Sequence, residues 1–321
     1  MGATPSTVDQ ALARATAAGL DRLDAQLLLL HALGKPDGAR AWLLAHDSDP
    51  LTLTEQQGFE QRVQRRAAGE PLAYITGHKE FFGLDLEVDA RVLVPRPDTE
   101  TLVEWALEVL ADFVPAAATE STGGDVVDLG TGSGDVLDLG TGSGAVALAL
   151  QRARPDLGVH ALDASADALQ VALANAQRLR LPVKFMQGSW LSGVSGRYQA
   201  IVSNPPYIAA LDRHLKALAH EPLQALVSGS DGLDDIRQIV TQAGTHLHAG
   251  GWLLLEHGYD QAAAVRTLLS EAGLDAVQSR RDLSGIERCS GGRAAAPKQD
   301  RQSGIEPITR KPVPTPGAKS N

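Results

Sequence analysis

Four consecutive residues, Asn204, Pro205, Pro206 and Tyr207, are the part of the chain whose types and order best suit chemistry, and they follow a short apolar run at 200–202. Neither proline has a backbone N–H, and each confines the residue before it to extended backbone, so the turn is stiff and presents acceptors without competing donors. We expect the Asn204 side-chain oxygen and the Pro205 carbonyl each to accept one hydrogen of a planar NH2 group, while the Tyr207 ring covers its flat face. An ordinary proline turn at the end of a strand is the alternative, and other parts of the chain must decide.

A glycine-rich loop is the second chemical signal, and the chain contains it twice. Residues 125–134 and 135–144 are identical at nine of ten positions, and each copy places an acidic residue before Gly-x-Gly-x-Gly. Such glycines let the backbone approach a bound cofactor closely. We assign the binding loop to residues 140–144, because only after this copy does a helical segment follow directly, with Asp163 lying 19 positions beyond Gly144. An acidic residue at about that distance can hydrogen-bond both ribose hydroxyls of a nucleoside.

The first copy is an anomaly under this assignment. It becomes part of a connection from about 115 to 134, which is longer than the ~12 to 15 residues usual for a connection without structure of its own. Two nearly identical strands then compete for one central position in a sheet. If the first copy, residues 125–134, took that position, cofactor binding would be disabled.

The elements that must position these residues form an α/β fold. Between 125 and 290, short apolar runs alternate with amphipathic segments, which predicts a doubly wound, seven-stranded, mostly parallel sheet with helices on both faces. The predicted strands are 136–139, 158–162, 183–186, 199–203, 251–256, 275–279 and 286–290. The predicted helices are 145–153, 165–179, 231–247 and 260–273.

The first 70 residues have a different pattern, in which apolar side chains recur at helical spacing and no strand-like alternation appears. Breaks at 34–38 and 47–50 divide this region, so we predict a small bundle of about four helices. Its helix start signals are Ser6, Asp21 and Thr54.

The region after the bundle changes to alternating apolar and polar residues at 82–88, which predicts a half-exposed strand. We expect the segment 92–94 to return beside it, which gives a hairpin. A helix with apolar positions between 102 and 110 follows, and Asp98 or Thr99 is its expected N-cap.

The composition and charge restrict the possible functions. The chain is 43% hydrophobic and 21% charged, which is typical of a soluble globular protein, and its single cysteine, Cys289, cannot form an internal disulfide. No metal site is indicated by the spacing of its His and Cys residues. The N-terminal residues lack a basic region followed by an apolar run, so we expect a cytoplasmic protein. The net charge is −10, and since residues 294–321 contribute +3, the rest carries −13. This balance disfavours a broad nucleic-acid-binding surface.

Taken together, the glycine loop, the acidic residue after the second strand and the Asn-Pro-Pro-Tyr turn after the fourth resemble a class I S-adenosylmethionine-dependent methyltransferase. More specifically, residues 6–293 are similar to the release factor glutamine methyltransferases of the PrmC/HemK family. The most discriminating part of this resemblance is Pro95–Glu100, because Asn-Pro-Pro-Tyr also occurs in adenine-N6 DNA methyltransferases. The chain departs from the family's pattern in its ten-residue duplication, in Ser189 where the family often has an acidic residue, and in its basic tail. Further matching segments are Tyr74–Gly77, Phe81–Leu84, Val92–Val94, Glu221–Pro222, Ala225–Leu226 and Asp231–Leu233.

We expect the chain to have four parts. The alternating pattern predicts a β-hairpin linker at 74–95, and the tail at 294–321, where a quarter of the residues are Pro or Gly, is predicted to be disordered. The resemblance implies an N-terminal helical domain at 1–73 that helps to dock the substrate and a methyltransferase domain at 96–293. It also implies S-adenosylmethionine as cofactor and, as protein substrate, the glutamine of the Gly-Gly-Gln loop of peptide chain release factors. We expect a monomer that binds neither nucleic acid directly nor a membrane.

The resemblance also assigns roles by position. The cofactor is expected to contact Asp163 through its ribose and Trp190 through its adenine, although core packing is a rival role for Trp190. Asn204, which is also expected to contact the cofactor, would bind the glutamine side chain with its three neighbours, and Asn204, Pro205 and Tyr207 are the expected catalytic residues. The expected contacts of the methionine part of the cofactor are Gly140, Thr141, Gly142, Ser143 and Gly144.

Two other functions remain open from the sequence. One is an adenine-N6 nucleic-acid methyltransferase, and the other is a non-catalytic binding protein whose duplicated loop has lost the cofactor. No general base is required for amide methylation, because the proton can leave after the methyl group has been transferred. Glu256 and His257, which end a strand, are therefore interpreted as structural or rim groups.

Overall fold

The computed structural model describes residues 6–115 and 135–295, and its N-terminal part is a bundle of short helices. Buried residues of the second and fourth helices, among them Leu28, Leu29 and Phe59, form the core of this bundle. The four predicted helices are joined by a short fifth one. The helices are α1 (Val8–Ala17), α2 (Arg22–Ala32), α3 (Arg40–Ala45), α4 (Leu53–Ala67) and α5 (Leu72–Thr76).

The starts of these helices agree with the predicted signals at one position of three. Asp21 caps α2 as predicted. The cap of α1 is Thr7 rather than Ser6, and the cap of α4 is Thr52 rather than Thr54. Both threonines close a capping box with the Gln or Glu three residues further on, which satisfies two exposed N–H groups at once.

A hairpin is present in this region, but it does not pair the predicted segments 82–88 and 92–94. Strand β1 (His78–Phe81) pairs in antiparallel fashion with β2 (Leu84–Glu87), and the segment 92–94 forms no strand. The chain reverses at Phe82 and Gly83, whose φ angles are 49° and 75°. Such a two-residue turn with positive φ at both positions matches the twist of the paired strands. Strand β1 was not predicted, because most of its residues are polar.

The predicted seven-stranded α/β sheet is confirmed. Its spatial order is β5-β4-β3-β6-β7-β9-β8, in which the first five strands are parallel and β9 runs antiparallel to both neighbours. The strands are β3 (Val136–Leu139), β4 (Val159–Asp163), β5 (Lys184–Gln187), β6 (Tyr198–Ser203), β7 (Leu247–Glu256), β8 (Asp275–Arg281) and β9 (Glu287–Arg293).

Within residues 6–115 and 135–295, five helices cover the two faces of this sheet. The buried residues of α6, α7 and α8 share a core with one face, and those of α9 and α10 share a core with the other. None of the helices in the described part of the chain has the length and apolar character needed to cross a membrane. The helices are α6 (Glu100–Val109), α7 (Ala145–Ala153), α8 (Ala166–Leu179), α9 (Asp234–His246) and α10 (Ala262–Glu271).

The start of α6 corrects another expectation. A short 3-10 turn, Pro97–Thr99, leads into the helix, and Thr99 occupies the N-cap position with helical backbone angles and no capping hydrogen bond from its side chain. The Asp98 carboxylate instead approaches Arg288, at 3.3 Å. Neither side chain therefore caps α6, and both can interact with residues away from the helix end.

The central strand of the sheet is built from the second copy of the repeat. Strand β3 lies between β4 and β6, and α7 begins directly after the loop that follows it, as predicted. The first copy, residues 125–134, lies outside the described residues, and so does the predicted disordered tail from residue 296 onwards. The glycine loop at 140–144, which belongs to the second copy, is thus the one placed to line a site.

Candidate active site

The register of three neighbouring strands brings the predicted site residues together. Leu139, the last residue of β3, is paired with Leu162 of β4 on one side and with Ser203 of β6 on the other. The Ser203 hydroxyl donates a hydrogen bond of 2.7 Å to the Leu139 carbonyl and so reinforces this register. Parallel strands that end side by side place the residues that follow them at one edge of the sheet. The glycine loop, Asp163 and Asn204 therefore meet there.

Two glycines of the loop have conformations that explain their residue type. Gly140 has a φ of 70°, and a Cβ atom added to it would lie 3.3 Å from the Trp190 ring. Gly144 has a φ of 85° at the start of α7, where a Cβ would meet Leu148 at 3.0 Å and Ala172 at 3.3 Å. Positive φ is readily adopted only by glycine. The loop can thus lie close both to a ligand and to the helices behind it.

The polar residues of the loop are held from behind by buried partners. The Thr141 hydroxyl donates to the Asp138 carboxylate at 2.6 Å, and the Ala147 N–H donates to the same oxygen at 3.2 Å. Asn175 of α8 donates to the Ser143 carbonyl at 3.0 Å. Burial raises the pKa of Asp138 to about 7, although both hydrogen bonds favour its charged form. The loop is fixed before any ligand binds.

Asp163 ends β4 and lies beside the loop. Its carboxylate accepts hydrogen bonds from the Gly142 N–H at 2.9 Å and from the Ser165 N–H at 2.8 Å. Burial raises the pKa of Asp163, and these backbone donors oppose the shift. Because each carboxylate oxygen can accept more than one hydrogen bond, Asp163 can still accept from two hydroxyl groups.

A cavity of about 280 Å³ opens in front of these groups. Trp190 forms part of its wall, and its indole N–H donates to Asp235 at 3.0 Å, which fixes the ring. The cavity also has walls that the sequence analysis did not identify, namely the segment 91–93 and, from the region after the proline turn, Pro222, Gln224 and Ala225. The remaining lining residues are Gly140, Gly142, Leu162, Asp163, Ala164, Ser165, Ala168, Gly188, Ser189, Asn204, Pro206 and Asp235.

A smaller cavity of about 60 Å³ also borders the glycine loop. Its walls include four residues of the segment before α6, namely Leu93, Pro95, Arg96 and Thr99, together with the loop and Asn204. Asn204, Gly140 and Gly142 line both cavities, so both spaces border the predicted site.

Within the described residues, only the nitrogen end of the Asn204 amide forms a hydrogen bond. Its Nδ2 group donates to the Thr99 hydroxyl at 3.1 Å. Its Oδ1 atom is buried and accepts no hydrogen bond from any residue of the described part of the chain. A buried polar atom without a partner is costly, so a donor from water or from a ligand is expected to satisfy it. The acceptor predicted from the sequence is thus present and available.

The other residues of the turn are placed differently from one another. Pro205 is buried, and no group within 6–115 or 135–295 donates to its carbonyl. Pro206 lines the larger cavity. Tyr207 is half-buried and directs its hydroxyl toward Glu256, at 3.5 Å from Oε1, and burial raises its pKa. The expected covering of a substrate amide by the Tyr207 ring stays a prediction.

An ion pair connects two walls of the site. The Glu221 carboxylate, 2% exposed, accepts a hydrogen bond from the Arg96 guanidinium and another, at 3.1 Å, from the Val94 N–H. This links the segment before α6 to the segment after the proline turn. The sequence analysis matched both segments to the family without predicting that they touch.

Of the two roles expected for Glu256 and His257, structural or rim, a position at the rim is excluded, because both are buried, with 1% and 0% exposure. His257 interacts at Nε2 with the Ser290 hydroxyl, at 2.7 Å, and at Nδ1 with the Gly258 carbonyl, and these contacts are structural. Burial raises the pKa of Glu256 to about 7. Glu256 lies beside the Asn-Pro-Pro-Tyr turn, where its Oε1 atom is 3.5 Å from the Tyr207 hydroxyl.

Comparisons with known proteins agree with this geometry. Residues 7–77 match the family described as PrmC N-terminal domain, and residues 126–231 match the family described as Methyltransferase small domain. The release factor glutamine methyltransferase of Xylella fastidiosa is 46% identical over 287 residues, which are 88% of this chain and 97% of the relative. That of Pseudomonas aeruginosa is 48% identical over 278 residues, 85% of this chain and 93% of the relative.

Among solved structures, the hMettl16 catalytic domain in complex with MAT2A 3'UTR hairpin 1 has a TM-score of 0.51 with this chain. It is 14% identical, and the likeness covers 80% of this chain and 85% of that one. At this identity the likeness shows a shared fold alone.

Proposed function

Because the chain belongs to the release factor glutamine methyltransferase family, we propose that it methylates the side-chain amide nitrogen of a glutamine in peptide chain release factors. The glutamine is that of the Gly-Gly-Gln motif, and the methyl donor is S-adenosylmethionine. The observation that carries this proposal is the buried Oδ1 atom of Asn204, which is without a donor in the described residues. A glutamine NH2 group supplies the donor that this acceptor lacks.

The described residues fit the cofactor. The larger cavity joins the glycine loop, the Asp163 carboxylate and the Trp190 ring, which suit a methionine backbone, a ribose and an adenine respectively. A Cβ on Gly140 would fill the narrow gap between the loop and the Trp190 ring. We assign cofactor binding to Gly140–Gly144, Asp163, Trp190 and Asn204 on this basis.

The mechanism depends on position rather than on a base. An amide nitrogen is a poor nucleophile because its lone pair is delocalised into the carbonyl group. Bound S-adenosylmethionine supplies an electrophilic methyl group on a positively charged sulfur. Asn204 Oδ1 and the Pro205 carbonyl accept the two amide hydrogens, which orients the nitrogen and favours its pyramidal form. The proton leaves to solvent after transfer.

The remaining parts of the proposal concern the partner. We assign substrate docking to the helical domain at 1–73, linkage to residues 74–95 and methyl transfer to 96–293. The release factor is bound as a protein by a monomer in the cytoplasm, without direct contact to nucleic acid. The net charge of −10 supports this choice over an adenine-N6 nucleic-acid methyltransferase.

The experiment uses methyl-labelled S-adenosylmethionine with the wild-type chain and either a release factor or DNA. Label is expected in the release factor and not in a variant whose motif glutamine is replaced by alanine. Asn204→Ala is expected to lower kcat at least about 100-fold, since it removes one of two acceptors for the reacting amide.

Calorimetry provides the control for this variant, because Asn204→Ala removes one of eight residues assigned to the cofactor and should weaken cofactor binding far less than it lowers kcat, by about tenfold at most. Label appearing in DNA alone, or full activity of the variant, contradicts the proposal. No cofactor binding by wild type would favour a non-catalytic protein.

A further inference from the structure

Helix α8 buries one polar side chain. Four of its five buried residues are alanine or valine, and the fifth is Asn175, which is 0% exposed. Burying a polar amide costs free energy unless hydrogen bonds replace those it made with water. An apolar residue at this position would avoid that cost in a helix that only has to pack on the sheet. The hydrogen bonds of Asn175 therefore indicate its role.

The side-chain amide of Asn175 pairs with the backbone of the hairpin. Its Oδ1 atom accepts a hydrogen bond of 2.8 Å from the Glu87 N–H, and its Nδ2 group donates one of 3.0 Å to the Glu87 carbonyl. Strand β2, which ends at Glu87, belongs to a two-stranded sheet, so within the described residues one of its edges has no strand neighbour. The Asn175 amide binds this edge as a neighbouring strand would.

This pairing fixes the orientation of the Asn175 amide. A backbone N–H only donates and a backbone carbonyl only accepts, so exchanging the two ends of the amide would set donor against donor and acceptor against acceptor. One hydrogen of the Nδ2 group is bound to the Glu87 carbonyl, and the other is donated to the Ser143 carbonyl at 3.0 Å. The hairpin backbone therefore directs one donor of Asn175 at the glycine loop.

The glycine loop packs closely against the same part of α8. A Cβ atom added to Gly144 would lie 3.3 Å from the side chain of Ala172, about one turn before Asn175. The Gly144 N–H donates to the Thr141 carbonyl at 2.9 Å, which closes a turn within the loop. By binding the Ser143 carbonyl, Asn175 fixes the peptide group between Ser143 and Gly144. This is the point at which the loop passes into α7.

We propose that Asn175 is a positioning residue for the cofactor, because it holds the glycine loop in its binding shape before S-adenosylmethionine binds. It lies behind the loop, and the larger cavity is lined by other residues of the described part of the chain. The hairpin takes part in cofactor binding through the Glu87 backbone, which orients the Asn175 amide. The inference rests on the proposed function, in which residues 140–144 bind the cofactor.

Arg178, on the next turn of α8, offers a matched control. Its guanidinium donates to the Asp85 carbonyl and pairs with the Glu87 carboxylate at 3.1 Å, so it joins the same helix to the same hairpin. Its side chain is 36% exposed, and within the described residues it has no hydrogen bond to the glycine loop. If Asn175 only attached the hairpin to α8, loss of either side chain would lower stability and leave the affinity for the cofactor unchanged.

The test measures the Kd of S-adenosylmethionine by calorimetry for the wild-type chain, Asn175→Ala and Arg178→Ala. Asn175→Ala is expected to raise the Kd about tenfold or more, because binding must then also order the loop. Arg178→Ala should keep the Kd within about twofold of wild type, since its contacts are exposed and do not reach the loop. The fitted stoichiometry reports the folded fraction separately from the Kd, so a partly unfolded preparation does not imitate the effect.

Hydrogen exchange of the chain without cofactor gives a second readout. In Asn175→Ala, the N–H groups of Gly142 and Gly144 should exchange about tenfold faster than in wild type, because the loop is no longer held from behind. The N–H groups of β6 should exchange as in wild type, which distinguishes local loosening from a loss of overall stability. Arg178→Ala should leave the exchange of the loop unchanged.

Asn175→Asp keeps the inference testable if the alanine variant does not fold, because it retains the shape and an acceptor for the Glu87 N–H. Arg178, whose guanidinium lies 3.3 Å from Asn175 Oδ1, favours the ionised form. An ionised carboxylate has no hydrogen to donate to the Ser143 carbonyl, so the same rise in Kd is expected at about pH 8.

A wild-type Kd or wild-type exchange of the loop in a folded Asn175 variant overturns the inference and leaves the proposed function standing. An equal rise in the Kd of Arg178→Ala overturns it as well. Absence of S-adenosylmethionine binding by the wild-type chain overturns the proposed function instead.

Discussion

Replacing Glu256 by glutamine should make the protein more stable above neutral pH. Burial raises the pKa of this carboxyl group from an ordinary value of 4.5 to about 7. Opposing contributions come from the Thr99 and Tyr207 hydroxyls and from Arg288, and Asp98 adds to the rise. In the folded protein Glu256 thus stays protonated up to about pH 7. In the unfolded chain it loses its proton near its ordinary pKa of 4.5.

The sign follows from proton linkage. Because the folded pKa is raised, the stability associated with the protonated group is fully present below about pH 4.5 and is lost as the pH rises through about 7. At about 1.4 kcal/mol for each pKa unit, the complete loss is about 3 kcal/mol. Most of this loss, about 2 to 3 kcal/mol, falls between about pH 5 and pH 8. Glutamine does not ionise, so the variant should avoid this loss.

The assay is urea unfolding of wild type and Glu256→Gln across this pH range, with Glu271→Gln, at the exposed end of α10, as the matched control for removing one charge. The difference in the free energy of unfolding between Glu256→Gln and wild type should grow by about 2 to 3 kcal/mol from about pH 5 to about pH 8. Asp138, whose pKa is also raised to about 7, contributes equally to both proteins and cancels. A difference independent of pH would refute the reasoning.

Two further predictions concern the walls of the site. Gly140→Ala should weaken cofactor binding by about tenfold or more in calorimetry, because its φ is 70° and its Cβ would press on Trp190 at 3.3 Å. Gly193→Ala is the matched control, since it has a φ of 79° with nothing within 4 Å, and an equal loss there would contradict the role of the contact. Glu221→Ala should lower the free energy of unfolding by about 1 to 3 kcal/mol, because it leaves a buried backbone donor and Arg96 without their acceptor. An unchanged urea midpoint would show that this link contributes nothing to stability.

The part of the site that lies at strand ends was predictable from the sequence. Gly140, Asp163 and Asn204 each follow an apolar run, and parallel strands that end together bring such residues to one edge. The choice of the second glycine loop was predictable too, because only that copy leads directly into a helix. In these cases the local pattern and the topology agree.

The support behind the site was not predictable in the same way. Thr99 is 105 residues from Asn204, and Arg96 is 125 residues from Glu221, so neither contact leaves a local pattern in the sequence. Thr99 was interpreted as a helix cap, which is its commonest role at such a position. The turn at Phe82 was missed because a non-glycine residue with positive φ is uncommon.

The position of β3 in the second copy also has a genetic consequence. Deletion of residues 125–134 and deletion of residues 135–144 leave chains that differ at one position, where the first keeps Leu137 and the second keeps Val127. Leu137 is fully buried in the sheet, and a change of one methylene there costs about 1 kcal/mol. Recombination between the two copies would therefore give nearly the same strand and loop whichever copy is removed. A chain with one copy of the repeat would thus keep the residues of the strand and the glycine loop, apart from Leu or Val at one position.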